Sequence, residues 1–225
     1  MTFKNLQDTY TLANDVQIPC IGFGTWQTPN GETAINSVKA ALKAGYRHID
    51  TAACYGNEAS VGQAIKESGV PREEIFVTSK VWNTERGYEK TLAAFETTMA
   101  KLDLDYVDLY LIHWPAAANQ FENWKEINAQ TWRALEELYI EGKVKAIGVS
   151  NFLPHHLEAL LEGVKVVPMV NQIEYHPGFM QAESVDFCRA HNILVEAWSP
   201  LGTGNVLNNK TLIMMAQKYS KTVAQ

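Results

Sequence analysis

Residues 107–114 read VDLYLIHW, a nearly continuous apolar run that closes on a histidine and a tryptophan. Eight residues is strand length rather than helix length, and so little polar alternation marks a strand covered on both faces, as in parallel sheets. Runs of the same kind stand at Ile21–Thr25, His48–Ala52, Ile75–Val81, Val144–Ser150, Pro168–Glu174 and Leu194–Pro200. Helical patterns follow or separate them around 32–44, 58–68, 88–101, 126–141, 154–162, 181–191 and 208–219. Strand followed by helix, repeated along the whole chain, predicts an α/β fold around one parallel sheet.

The joints between these segments carry their own chemistry. Pro71 stops the second helix, Gly142 follows the fourth as a C′ residue, and Asn151 and Pro154 stand where a helix entry is capped and preset. Ahead of the first unit, YTLANDVQIP at 10–19 predicts two short strands around Asn14-Asp15, a hairpin suited to plugging one end of a barrel. An open doubly wound sheet that binds a dinucleotide would want G-x-G-x-x-G after its first strand. Here that strand ends Gly22-Phe23-Gly24-Thr25-Trp26, with only the first two glycines. The expectation is therefore a (β/α)8 TIM barrel with an N-terminal β-hairpin, in a single domain over 1–225 that ends before the eighth βα unit. The first and last strands of such a barrel would present unpaired edges.

Composition narrows the partners. The 225 residues are 46% hydrophobic and 20% charged, which suits a packed globular core and excludes a disordered tail or a coiled coil. Nineteen basic against twenty-five acidic side chains leave a formal charge of −6, so no global field favours nucleic acid or an anionic membrane. No apolar run approaches a membrane span and MTFKNLQDTY has no signal-peptide pattern, so a cytoplasmic location is expected. Cys20, Cys54 and Cys188 form no C-x-x-C pair, which argues against a disulfide framework and against a thiolate metal site.

In a parallel barrel the chemistry lies at the carboxyl ends of the strands. Four residues there stand out: Asp50 closes the second strand, Lys80 the third and His113 the fourth, with Tyr55 in the loop after the second. Alternation puts Phe76, Thr78 and Lys80 on one face of their strand, and Leu109, Leu111 and His113 on one face of theirs. Singly, each has a structural explanation: a capping aspartate, a snorkelling lysine, a hydrogen-bonded core histidine, a tyrosine packed on a turn. Together, a lysine near a carboxylate with a phenol and an imidazole in reach has a chemical use.

At these residues the chain resembles the aldo-keto reductase family. GFGTW at 22–26, GYRHIDTAACYGNE at 45–58, SKVW at 79–82, DLYLIHWP at 108–115, GVSNF at 148–152, NQIEYHP at 171–177 and WSPLG at 198–202 carry the likeness, which runs along essentially the entire chain. The resemblance implies a tetrad of Asp50, Tyr55, Lys80 and His113 that reduces an aldehyde or ketone with hydride from NADP(H), in a monomeric enzyme. The chemistry is coherent, because the forming alkoxide needs a proton. A lysine ammonium beside a tyrosine should make the phenol more acidic, an aspartate should hold the ammonium, and a neutral histidine should orient the carbonyl.

The resemblance further implies that Ser150, Asn151 and Gln172 hold the nicotinamide carboxamide and that Trp198 stacks on its ring. Ser199, Pro200, Leu201 and Gly202 would begin the loop over the pyrophosphate, and Thr25, Trp26 and Asp50 would also border the cofactor. Trp26, Trp82 and Trp114, with His113, would line the substrate pocket, and the alanine-rich stretch Ala116–Asn123 would be a short substrate loop. The remaining histidines receive no role, with His155-His156 expected to face solvent. By the same likeness, an eighth strand and the basic segment gripping a 2′-phosphate belong beyond Gln225.

Overall fold

A computed structural model describes residues 5–116 and 122–225. An antiparallel hairpin, β1 (Thr9–Thr11) and β2 (Gln17–Pro19), opens the chain. Its turn passes through Asp15 at φ 67°, the left-handed region that an Asn-Asp pair tolerates. Seven parallel strands follow: β3 (Phe23–Gly24), β4 (His48–Asp50), β5 (Phe76–Val81), β6 (Val107–Ile112), β7 (Val144–Ser150), β8 (Val170–Glu174) and β9 (Leu194–Trp198). They are hydrogen-bonded in chain order, each to the next, in one curving sheet. Helices α1 (Glu32–Lys43), α2 (Glu58–Glu67), α3 (Tyr88–Leu102), α4 (Trp124–Ile140), α5 (Pro154–Leu161), α6 (Ala182–Ala190) and α7 (Lys210–Lys218) alternate with the strands. The result is a nearly closed parallel barrel of the (β/α)8 type with a hairpin at its base.

Each expected strand and helix is present, with shifted ends. β3 is only two residues long, and His113 lies one residue past the end of β6, where its N–H still donates to Val81 O at 3.3 Å. β5 and β6 are buried at every position, as their apolar sequence requires. Helices pack tightly on this sheet and on one another. A Cβ added to Gly62 in α2 would lie 1.8 Å from the Leu102 carbonyl oxygen, so only glycine lets α2 approach the end of α3.

The hairpin sits at the amino-terminal ends of the strands, opposite the expected site. Leu12 and Ile18 are buried under it, and Asn14 Nδ2 donates to Lys145 O at 2.9 Å and to the Tyr139 hydroxyl at 3.3 Å.

Two expectations about local chemistry need correction. Asn151 does not cap α5: the cap position is Leu153, with Pro154 opening the helix, while Asn151 sits at φ 64° with its side chain turned to other work. His156 does not simply face solvent. Its Nδ1 accepts from Leu153 N, its ring stands edge-on to Trp124 at 4.9 Å, and burial lowers its pKa to about 4. Gly142 does end α4, with φ 73°. No helix among the described residues is long and apolar enough to cross a membrane.

Candidate active site

β4 delivers Asp50, and the chain then turns through a short 3-10 helix at Ala53–Tyr55 that closes on Gly56 at φ 70°. Asn57 makes that turn rigid. Its Nδ2 donates to the carbonyls of Thr25 and Thr28, and its Oδ1 accepts from Thr51 Oγ1 at 2.9 Å, all beneath the surface. Tyr55 is thus carried on a turn pinned to the loop after β3. Thr25 is fully buried, and its hydroxyl donates to Asp50 O at 3.0 Å, so it braces the site from beneath.

Lys80, at the end of β5, is fully buried and makes three contacts. Nζ donates to Asp50 Oδ1 at 2.6 Å and to Thr51 O at 3.0 Å, and lies 3.5 Å from the Tyr55 hydroxyl. Burial alone would push the ammonium toward neutrality. The Asp50 and Tyr55 charges outweigh that, and the Lys80 pKa stands above the ordinary lysine value.

Tyr55 feels the expected acidifying pull of Lys80, but burial outweighs it. Burial raises its pKa, Lys80 lowers it, Asp50 raises it again, and the balance lies above an ordinary phenol instead of below it. The phenol is therefore a protonated group at neutral pH, and Lys80 only limits how far it rises. His113 behaves as expected: burial, with Lys80 adding, brings it down to about 3, so the imidazole is neutral. Its ring meets Tyr55 edge-on at 5.7 Å and Trp82 at 5.0 Å, so Asp50, Tyr55, Lys80, His113 and Trp82 form one contiguous group. Trp26 and Trp114 follow the same ends of β3 and β6 and are 52% and 40% exposed. Most of the expected substrate loop, residues 117–121, lies outside the described residues.

The residues expected at the cofactor form a second network joined to the first. Gln172 Nε2 donates to Asp50 Oδ2 at 2.9 Å, and Ser150 Oγ donates to Gln172 O at 2.8 Å. Asn151 Nδ2 donates to His113 O and to Ser150 Oγ, both at 3.0 Å, while its Oδ1 accepts Trp198 Nε1 at 2.9 Å. After Trp198 the backbone takes left-handed values at Ser199, Gly202, Thr203 and Gly204, with Pro200 exposed and Leu201 half-buried between them. Side-chain amides, a hydroxyl and a half-buried indole ring held at its N–H suit a flat heteroaromatic ring bearing a carboxamide.

Two residues in this region had no role on sequence grounds. Glu196 shares the face of β9 that carries Trp198, and its carboxylate, Asp50 and the buried His48 bring three potential ligand atoms within 4.8 Å of one another. Burial and the Asp50 charge raise the Glu196 pKa. Both Asp50 oxygens are already engaged, by Lys80 and Gln172, which makes the group an interior charge cluster under the lysine. Cys54, beside Tyr55, places Sγ 3.6 Å from His113 Nδ1. Alternation in LVEAW was the available signal for Glu196; for Cys54 there was only its position next to Tyr55.

Proton-handling groups gathered where the strands of a parallel barrel end define a barrel enzyme. Comparison with known proteins is specific about which: residues 20–223 match the Aldo/keto reductase family. The glyoxal reductase of Bacillus subtilis is 55% identical over 221 residues, covering 98% of this chain and 77% of that protein. The 9,11-endoperoxide prostaglandin H2 reductase of Trypanosoma cruzi is 54% identical over 218 residues, covering 96% of this chain and 74% of that protein. A crystal structure of an aldo/keto reductase from Brucella melitensis superposes with a TM-score of 0.89 at 51% identity, over 96% of this chain and 80% of that one. The chain belongs to the aldo/keto reductase family, and it is a nicotinamide-dependent oxidoreductase of carbonyl compounds.

Proposed function

We propose that this protein reduces small aldehydes and ketones with NADPH, using Tyr55 as the proton donor. The observation that carries the reading is Lys80, fully buried, with Nζ 2.6 Å from Asp50 and 3.5 Å from the Tyr55 hydroxyl. NADPH, when bound, supplies the hydride. Ser150, Asn151 and Gln172 would hold its carboxamide, Trp198 would offer a stacking surface, and the loop at 199–202 would cover the pyrophosphate.

The chain's own residues then handle the oxygen. Neutral His113 donates a hydrogen bond to the carbonyl oxygen and fixes its direction. Tyr55 keeps its proton at neutral pH, since burial raises its pKa, and releases it as negative charge gathers on that oxygen. Lys80 stabilises the phenolate left behind, and Asp50 keeps the lysine charged and aimed. Trp82, packed against the imidazole, gives the pocket an apolar wall, and exposed Trp26 and Trp114 extend it outward. The glyoxal reductase relative makes small dicarbonyl compounds the first substrates to try.

The test is loss of reduced-nicotinamide absorbance with NADPH or NADH across a panel of aldehydes, ketones and dicarbonyls. Turnover with NADPH well above that with NADH, abolished by Tyr55→Phe, is expected. Turnover that survives Tyr55→Phe would remove the tyrosine from the chemistry, and equal turnover with NADH would remove the NADPH preference.

A further inference from the structure

His113 is neutral across the working pH range, because burial, with Lys80 adding, holds its pKa to about 3. One proton must then serve two ring nitrogens, and only the nitrogen that carries it can donate to a carbonyl oxygen. Packing fixes the plane of the ring, through the edge contacts with Tyr55 and Trp82, but does not choose between the nitrogens. The group facing Nδ1 does: Cys54 Sγ, 3.6 Å away, on the 3-10 turn that also carries Tyr55.

The thiol could be a nucleophile paired with a histidine base, but its state excludes that. Cys54 is an exposed residue, but the partial burial of its thiol on the 3-10 turn pushes its pKa up to about 11, so the sulfur keeps its proton, whereas a cysteine nucleophile needs a thiolate. What remains is a protonated thiol facing a neutral imidazole. Nitrogen of a neutral imidazole is a better acceptor than sulfur, so the hydrogen bond runs from S–H to Nδ1.

We propose that Cys54 is a positioning residue for carbonyl reduction: its S–H donates to Nδ1 of His113, which keeps the imidazole proton on Nε2 to meet the substrate oxygen. This rests on the reading of His113 as the group that orients the carbonyl. The thiol touches neither substrate nor cofactor in this role and acts only through the imidazole.

The direct readout is 15N NMR of the histidine-labelled protein, which separates a bare ring nitrogen from a protonated one without any turnover. In the unaltered protein the His113 Nδ1 signal is expected at the bare position and Nε2 at the protonated one. Cys54→Val, which fills similar space without a donor, is expected to average the two signals and to lower kcat by about 2- to 10-fold, the worth of one ordinary hydrogen bond. Cys54→Ser should restore both, and Cys54→Ala provides a second donor-free variant should the valine disturb folding as seen in thermal unfolding. A protonated Nδ1 in the unaltered protein, or donor-free variants with unchanged nitrogen signals, would overturn the proposal. Failure of the underlying reading looks different: His113→Gln would reduce carbonyls normally while the nitrogen signals of the unaltered protein stayed as expected.

Discussion

The side-chain amide of Gln172 donates to Oδ2 of Asp50 at 2.9 Å, across 122 positions of the chain, while Oδ1 of the same carboxylate takes the Lys80 ammonium. Asp50 is therefore held by two strands at once, β5 and β8, and its aim toward the lysine does not depend on its own rotamer alone. Gln172 is also one of the residues proposed to hold the cofactor. A ligand that drew its amide away would act on the ion pair behind Tyr55.

Tyr55→Phe removes one hydroxyl, 3.5 Å from Lys80, that is proposed to act on the reacting oxygen. Carbonyl reduction should fall by about 10²- to 10⁴-fold. Fluorescence titration should show NADPH affinity nearly unchanged, so chemistry and binding separate.

Lys80→Met should impair the protein twice. It strips Asp50 of its ammonium in the interior, a loss of about 3–5 kcal/mol that urea unfolding would read. It also removes the charge that restrains the Tyr55 pKa. In the proposed mechanism reduction needs the protonated phenol, so activity should decline as pH rises through that pKa. With the lysine gone the pKa goes higher, and the alkaline limb of the rate profile should move up in pH while the maximum rate drops.

His113 makes stability depend on acid. Folded, it stays unprotonated down to about pH 3, because burial and Lys80 disfavour its charge; in the unfolded chain it gains a proton at about pH 6.5. A depressed folded pKa means that the contribution is complete above about pH 6.5 and is lost as pH falls toward about 3. By linkage the loss is at most about 5 kcal/mol. His113→Gln cannot titrate, so its unfolding free energy should fall less between about pH 7 and about pH 4.5 than that of the unaltered protein. Equal slopes would mean that the folded imidazole takes up its proton over the same pH range as the unfolded one.

Trp198→Ala removes the proposed stacking surface and the donor to Asn151 Oδ1. NADPH affinity should weaken by about 10-fold, in keeping with one aromatic contact. An unchanged dissociation constant would take Trp198 out of the cofactor site.

Gly62→Ala should destabilise by about 2–3 kcal/mol although alanine is the better helix former by about 1 kcal/mol. The new Cβ would meet the Leu102 carbonyl oxygen, which is backbone and has little room to yield. Thermal unfolding decides the sign.

The barrel was legible from the sequence because strands buried on both faces announce themselves as short apolar runs: β5 and β6 are such runs and are buried throughout. Their ends were less legible: β5 stops at Val81, opposite Ile112, and His113 falls just past β6. The tetrad could be named from strand-end chemistry and family likeness. The direction of the Tyr55 pKa could not, because the depth of burial that outweighs Lys80 belongs to the folded barrel. Asn151 reads as a helix cap in sequence, yet its amide is spent on His113, Ser150 and Trp198 once β6, β7 and β9 come together. His48 and Glu196 lie far apart in the chain and meet only where the sheet curls.

The hairpin at the base of the barrel is made before the strands it plugs, yet its anchor is Lys145, 131 positions after Asn14. On a growing chain the hairpin strands can pair early, but their seat does not exist until α4 and β7 have been laid down. The hairpin must therefore wait for residues made more than a hundred positions later before it docks, and until then Leu12 and Ile18 lack the cover they have in the fold.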